Sequence, residues 1–138
     1  MKFILSLLFL TIGISIAGAT QPVAPPTAEE ITKRQEMLKI ASELKESINK
    51  NPKNVELYVQ LGFIYSKLKS INEAQNAFET AVRLNPKHSK AHFMLGLIYE
   101  KKDMKEKAIV AWQACLDNTV NKKARDTAIK HLHFLRSK

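Results

Sequence analysis

The chain contains an internal repeat with one fixed period. The pentapeptide Leu-Gly-Phe-Ile-Tyr, which begins at Leu61, returns as Leu-Gly-Leu-Ile-Tyr at Leu95, and 95 − 61 = 34. The tripeptide Asn-Pro-Lys that begins at Asn51 returns at Asn85, which is the same separation. A fixed period of this length is typical of a solenoid built from helix–turn–helix units. The repeat therefore predicts an all-α architecture and leaves few other folds open.

Apolar residues within each copy follow helical spacing. In the first copy, one stripe runs from Leu57 to Leu68 and a second from Ala74 to Val82, each with steps of three and four residues. The second copy has the same two stripes. Each stripe predicts one amphipathic helix, so each copy predicts a helix A followed by a helix B.

Short polar motifs predict where helices start. The motifs at residues 70–73, 103–106 and 27–30 each place a side-chain oxygen three residues before Glu, as a capping box or its Asp analogue requires. The first two would open the B helices. The third would open a helix over residues 28–50, half of a degenerate earlier repeat. A final capping helix with a basic outer face is expected over residues 123–138, which makes six helices.

The recurring positions resemble those of the tetratricopeptide repeat family. With Val55 and Ser89 as first positions, Leu-Gly falls at seven and eight, Tyr at eleven, Ala at twenty and an aromatic residue at twenty-four. The resemblance implies a short right-handed helical-repeat solenoid with one unit over residues 55–88 and a second over residues 89–122. It also implies that helix packing is carried by Leu61, Gly62, Tyr65, Ala74, Phe78, Ala81, Leu95, Gly96, Tyr99, Ala108, Trp112 and Cys115.

The same resemblance implies a binding groove on the concave side of the A helices. Its candidate peptide contacts are Val59, Phe63, Lys67, Lys90, Phe93, Met94, Leu97 and Lys101. An apolar centre with a charged rim suits a hydrophobic peptide segment or a partner helix. The Lys and Asn set with which some family members hold a terminal carboxylate is missing from the centre. Two alternatives stay open, because a flanking helix or a second copy could cover this surface instead.

The N-terminus predicts an export signal. Lys2 precedes an uncharged, mostly apolar stretch over residues 3–16, and Ala17-Gly18-Ala19 predicts cleavage after Ala19. The stretch is shorter than the roughly 20 apolar residues of a membrane span. Residues 20–27 are rich in proline and predict an extended linker. We therefore expect a periplasmic protein, tethered to the membrane if the signal is retained.

The whole chain has a formal net charge of +9, and positive charge is concentrated in its last third. The residues concerned include Lys101, Lys102, Lys105, Lys107, Lys122, Lys123, Arg125 and Lys130. They either solvate the terminal helix or contact an anionic membrane or cell-wall polymer. Nucleic acid is not an expected partner, because no stacking aromatic residues interleave with these lysines.

No sequence pattern for catalysis or metal binding is evident. His88 and His92 are four residues apart and His131 and His133 two apart, but neither pair has the further ligands that a metal site needs. The single cysteine, Cys115, allows no intramolecular disulfide and is expected to be a small buried residue. We expect neither an enzyme nor a cofactor, although a pocket holding His92 beside a carboxylate would revive an enzyme. The sequence thus predicts an adaptor that binds a protein or peptide and helps assemble or regulate a cell-envelope complex.

Overall fold

The computed structural model describes residues 25–137, which form six α-helices and no strand. The helices are α1 (Ala28–Lys50), α2 (Val55–Lys67), α3 (Ile71–Leu84), α4 (Ser89–Lys101), α5 (Lys105–Asn118) and α6 (Lys122–Ser137). Each helix packs on its neighbours along the chain, most extensively within the pairs α2–α3 and α4–α5. The predicted all-α helical-repeat solenoid is confirmed, with α2 and α4 as A helices and α3 and α5 as B helices. The predicted export signal lies outside the described residues.

Each A helix comes close to its B helix because a glycine faces an aromatic ring. A Cβ atom added to Gly62 would lie 2.7 Å from the Phe78 ring, and one added to Gly96 would lie 2.6 Å from the Trp112 ring. Both rings are fully buried. All the residues assigned to helix packing from the sequence are buried except Tyr65, which is half-buried. The repeated residues are therefore the ones that hold each helix pair together.

The Asn-Pro-Lys segments that follow α1 and α3 are held by equivalent hydrogen bonds. Tyr58 Oη donates to the carbonyl oxygen of Pro52 at 3.0 Å. In the second copy, His92 Nε2 lies 2.7 Å from the carbonyl oxygen of Pro86, to which it donates. His92 occupies the position equivalent to Tyr58 and thus preserves the hydrogen bond that fixes this turn.

Two of the three predicted capping boxes are wrong. Ser70 occupies the N-cap of α3 without a side-chain hydrogen bond, and the N-cap of α5 is Met104 rather than Asp103. Asp103 has a φ angle of 56° and its counterpart Lys69 one of 61°, both in the left-handed region. These residues therefore close the turn after each A helix, and the B helix begins after the following residue.

The first helix, α1, is longer than α2, on which it packs. The capping box at its start is present, since Thr27 Oγ1 accepts from the Glu30 amide at 3.2 Å and Glu30 accepts from the Thr27 amide at 2.8 Å. α1 has 23 residues and α2 only 13, so the N-terminal part of α1 extends beyond α2. Ile31 and Leu38 on α1 are consequently exposed. None of the described helices is long and apolar enough to cross a membrane.

Candidate binding surface

The last helix, α6, takes the place of a third A helix. It packs on α5 as α4 packs on α3. One further period carries the repeat start from Ser89 to Lys123, the second residue of α6. α6 is therefore part of the repeat pattern, and it extends the concave face that α2 and α4 begin.

A cavity of about 470 Å³ lies between α4, α6 and the α5–α6 connection, with one residue of α2 at its edge. Its apolar lining consists of Phe63, Phe93, Met94, Val120 and Ala124. The polar lining comprises Lys90, Lys123, one serine, two threonines and two asparagines, with no Asp or Glu. The concave face thus offers an apolar recess with positive charge at its border.

The predicted peptide contacts divide into two groups. Phe63, Lys90, Phe93 and Met94 line the cavity. Lys67, Leu97 and Lys101 are exposed but lie outside the cavity lining. The prediction for Val59 is wrong, because this side chain is only 3% exposed and belongs to the main core. Val59 and Phe93 occupy equivalent positions, but the smaller valine stays within the core.

The aromatic residues on the cavity wall rest on the aromatic residues of the core. Phe63 packs edge-on against Phe78, with ring centroids 5.4 Å apart and planes at 83°. Phe93 packs in the same way against Trp112, at 5.0 Å and 85°. Both contacts restrict the rotation of the half-buried Phe63 and Phe93 rings. The apolar part of the cavity is therefore preformed.

A three-residue cluster joins α6 to the second repeat. The ring of His131 stacks on that of Trp112 at a centroid distance of 4.4 Å. His131 Nδ1 donates to Glu100 Oε1 at 2.6 Å, and Trp112 Nε1 donates to the same oxygen. Sequence reasoning missed this cluster, although His131 lies one period after Leu97 and so occupies a groove position. The cluster fixes α6 beside α4, where it forms a wall of the cavity and does not cover it.

The basic residues of the C-terminal third do not share one surface. Lys102 bonds to side chains of α3, and Lys107 lies over the Tyr99 ring at 5.7 Å. Lys123 borders the cavity between α4 and α6. Lys123 therefore lies apart from Lys102 and Lys107, which contact α3 and Tyr99.

A second cavity, of about 310 Å³, contains His92 and Glu106. The Nε2 atom of His92 is bound to the Pro86 carbonyl, as described above, so it holds the turn before α4 and is not free to act as a base. In the described part of the chain, no group of three or more His, Cys, Asp or Glu residues could hold a metal ion.

Two ionisable groups in the core have raised pKa values. Burial raises the pKa of the Cys115 thiol, whose side chain is fully buried. Burial, followed by the neighbouring Glu79 carboxylate, raises the pKa of the Tyr99 phenol well above its usual range. Tyr99 Oη donates to Glu79 Oε1 at 2.8 Å, which ties α4 to α3. Both groups are therefore held in their neutral forms by the fold.

Alternating A and B helices, each pair closed by a glycine–aromatic contact, define a helical-repeat solenoid of the kind that presents a concave face to a partner. Two family models described as tetratricopeptide repeat match the chain, one over residues 55–88 and one over residues 77–110. Residues 55–110 of the chain therefore belong to the tetratricopeptide repeat family. Repeats of this family support a role in binding a protein partner rather than in catalysis.

Solved structures with a similar fold include two of MamA. A crystal structure of MamA is 22% identical, with a TM-score of 0.61, over 83% of this chain and 75% of that chain. MamA from residue 41 to the end, from Desulfovibrio magneticus RS-1, is 20% identical, with a TM-score of 0.56, over 79% of this chain and 70% of that chain. At these identities the likeness shows the fold alone. No curated protein matches the chain.

Proposed function

We propose that the protein is an exported tetratricopeptide repeat adaptor. It binds a protein or peptide partner non-covalently through the concave face of its A helices, and in this way helps assemble or regulate a cell-envelope complex. The observation that carries the proposal is the cavity of about 470 Å³ between α4 and α6. Its volume falls in the range of roughly 300–1,000 Å³ that is usual for ligand sites.

The shape and lining of the cavity support a peptide or helix as the ligand. An apolar recess rimmed by polar side chains resembles the centre and rim of protein interfaces. The supporting rings of Phe78 and Trp112 keep Phe63 and Phe93 in place. A preformed surface loses little side-chain freedom when a partner binds, which favours affinity.

A pair of valine substitutions tests the binding surface. Val120 borders the cavity and is fully exposed, whereas Val110 is 68% exposed on α5, away from this cavity. Val120→Glu places a charge at the cavity, and Val110→Glu makes the same change elsewhere. In affinity capture from an envelope extract, the wild type and Val110→Glu should retain the same proteins. Val120→Glu should fail to retain them. Identical captures by all three proteins would refute the proposal.

These exposed sites are better targets than Phe63 and Phe93. Both phenylalanines are half-buried and pack on core rings, so replacing them with Glu would destabilise the fold as well as the surface. Thermal unfolding of Val120→Glu and Val110→Glu should match that of the wild type, because surface changes usually alter the free energy of unfolding by less than about 0.5 kcal/mol.

Export is supported by the N-terminal sequence pattern. We expect a periplasmic fraction to contain a chain that begins at Thr20, and intact mass spectrometry of the fractionated protein would detect it. Full-length protein confined to the cytosolic fraction would contradict the proposal. Full-length protein in the membrane fraction would indicate a retained signal.

In the alternative role, the basic residues contact an anionic membrane or cell-wall polymer. Ionic strength distinguishes this role from partner binding through the cavity. Attraction between exposed charges is screened beyond about 10 Å at 0.1 M salt and about 3 Å at 1 M. Capture through the apolar cavity should persist at high salt, whereas binding to a polyanion should be lost. Sedimentation with anionic vesicles at both salt concentrations would measure the second activity directly.

Whether a second copy of the protein covers the groove can be tested by measuring the oligomeric state. Light scattering of the purified wild type and Val120→Glu over a range of concentrations reports the oligomeric state. A dimer that Val120→Glu dissociates would assign the cavity to self-association, and a monomer in both would leave it available to a different partner.

A further inference from the structure

The two helices whose N-termini border the cavity differ from the other described helices in charge. The first turns of α1, α2, α3 and α5 each contain Glu, which interacts favourably with the positive end of the helix dipole. The first turns of α4 and α6 contain no acidic residue. They contain Lys90 in α4 and Lys122 and Lys123 in α6. A cation at this end of a helix is unfavourable, so the arrangement lowers stability at these two sites.

Two of these lysines lack a counter-charge in the part of the chain that the structure describes. Lys122 pairs with Asp126 at 2.8 Å. Within residues 25–137, the ammonium groups of Lys90 and Lys123 make no ion pair or hydrogen bond. Both residues border the cavity, and its lining includes no Asp or Glu. The rim is therefore electropositive on two separate helices.

One backbone amide at each of these helix N-termini donates to a capping side chain. The Ala91 amide donates to His88 Nδ1 at 3.2 Å in α4, and the Ala124 amide donates to Asn121 Oδ1 at 2.9 Å in α6. The charged groups that an anion at this rim would meet are the side chains of Lys90 and Lys123, beside the remaining amides of the two first turns.

We propose that the cavity binds a peptide segment in which an apolar side chain is flanked on both sides by Asp or Glu. The apolar side chain lies against Phe93 and Met94, and the flanking carboxylates pair with Lys90 and Lys123. Because the two cations lie on different helices, two carboxylates along the peptide match them better than the single carboxylate of a chain terminus. This inference rests on the proposed function of the cavity and specifies the chemistry of its partner.

Short synthetic peptides, acetylated and amidated so that neither end is charged, test the proposal by fluorescence anisotropy with the purified protein. One peptide carries Leu flanked by Glu, the second carries Leu flanked by Lys, and the third carries Ala flanked by Glu. We expect binding of the first alone. Since one exposed ion pair contributes up to about fivefold in affinity, Lys90→Glu combined with Lys123→Glu should weaken it by roughly tenfold or more.

The matched control is Lys105→Glu. Lys105 lies in the first turn of α5, outside the lining of this cavity, so the variant has a similar helix-dipole effect without altering the rim. It should bind the Glu-flanked peptide as the wild type does. All variants should remain helical by circular dichroism, because Glu is favourable in a first turn.

Several results would overturn the proposal. These are equal binding of the Lys-flanked peptide, no effect of the double lysine variant, or binding only when the peptide has a free terminal carboxylate. A double variant that abolishes binding to phosphatidylglycerol vesicles while no peptide binds would assign the rim to lipid instead. If Val120→Glu still loses its captured proteins in that case, the adaptor function stands and only the acidic-peptide chemistry fails.

Discussion

Gly96→Ala tests whether the glycine–aromatic contact, rather than helix propensity, sets the stability of the second repeat. In an exposed helix, replacing Gly with Ala stabilises by about 1 kcal/mol. Here the new Cβ atom would lie 2.6 Å from the Trp112 ring, so the ring must move. That ring is fully buried, stacked against His131, packed edge-on by Phe93 and hydrogen-bonded to Glu100. It has little freedom to yield.

The expected net effect is a loss of stability. Overpacking a closed core typically costs about 1–3 kcal/mol, which exceeds the gain of about 1 kcal/mol in propensity. We therefore expect Gly96→Ala to lower the free energy of unfolding by about 1 kcal/mol. Gly62→Ala has the same propensity gain, but the opposing Phe78 ring makes no hydrogen bond and has one aromatic neighbour, Phe63. Its loss should be smaller.

Urea unfolding followed by circular dichroism measures both variants, and Trp112, the single tryptophan, gives an independent fluorescence signal. The midpoint should fall with an unchanged slope. Trp112→Phe in the Gly96→Ala background provides a double-mutant cycle, in which the smaller ring should recover part of the loss. A Gly96→Ala midpoint at or above that of the wild type, or a greater loss for Gly62→Ala, would refute the steric explanation.

Three further predictions concern single residues. Because burial raises the pKa of Cys115, its thiol stays protonated and should react with Ellman's reagent only after unfolding; fast labelling of the native protein would contradict this. Burial and Glu79 raise the pKa of Tyr99, so the stability it contributes is present below about pH 10 and is lost as pH rises towards the folded-state value. As the pH rises above about 10, the urea midpoint of Tyr99→Phe should therefore fall less steeply than that of the wild type. Lys90→Glu should raise the free energy of unfolding by about 0.3–1 kcal/mol because it favours the helix dipole, and a decrease would show that the lysine stabilises the fold.

The sequence predicted those features that depend on steric fit within one helix pair. Phe78 and Trp112 were predicted as packing residues, and each follows its glycine at the same separation. The structure adds that each ring faces the glycine of its own helix pair. The capping prediction for Asp103 failed for a reason visible in the numbering. The separation between the proposed caps Ser70 and Asp103 is one position short of the period, so they could not both be equivalent.

The far wall of the cavity was missed because the final helix was interpreted as a solvating cap. Adding one period to Lys90 and Phe93 gives Ala124 and Thr127, both of which line the cavity. The burial of Val59 could not be predicted from its position, because the equivalent Phe93 reaches the cavity. The depth of a groove side chain depends on its size as well as on its place in the repeat.

The two Asn-Pro-Lys connectors have a consequence for how the length of such a chain can change. They join α1 to α2 and α3 to α4, and equivalent hydrogen bonds to a proline carbonyl hold both. One family match, over residues 77–110, spans the second connector and runs from within α3 into α5. The repeat therefore has no single boundary at which it must be divided. Removing or duplicating one full period, starting anywhere within the array, would rejoin equivalent structures. The groove can thus be shortened or lengthened by one A helix at a time without a new type of interface.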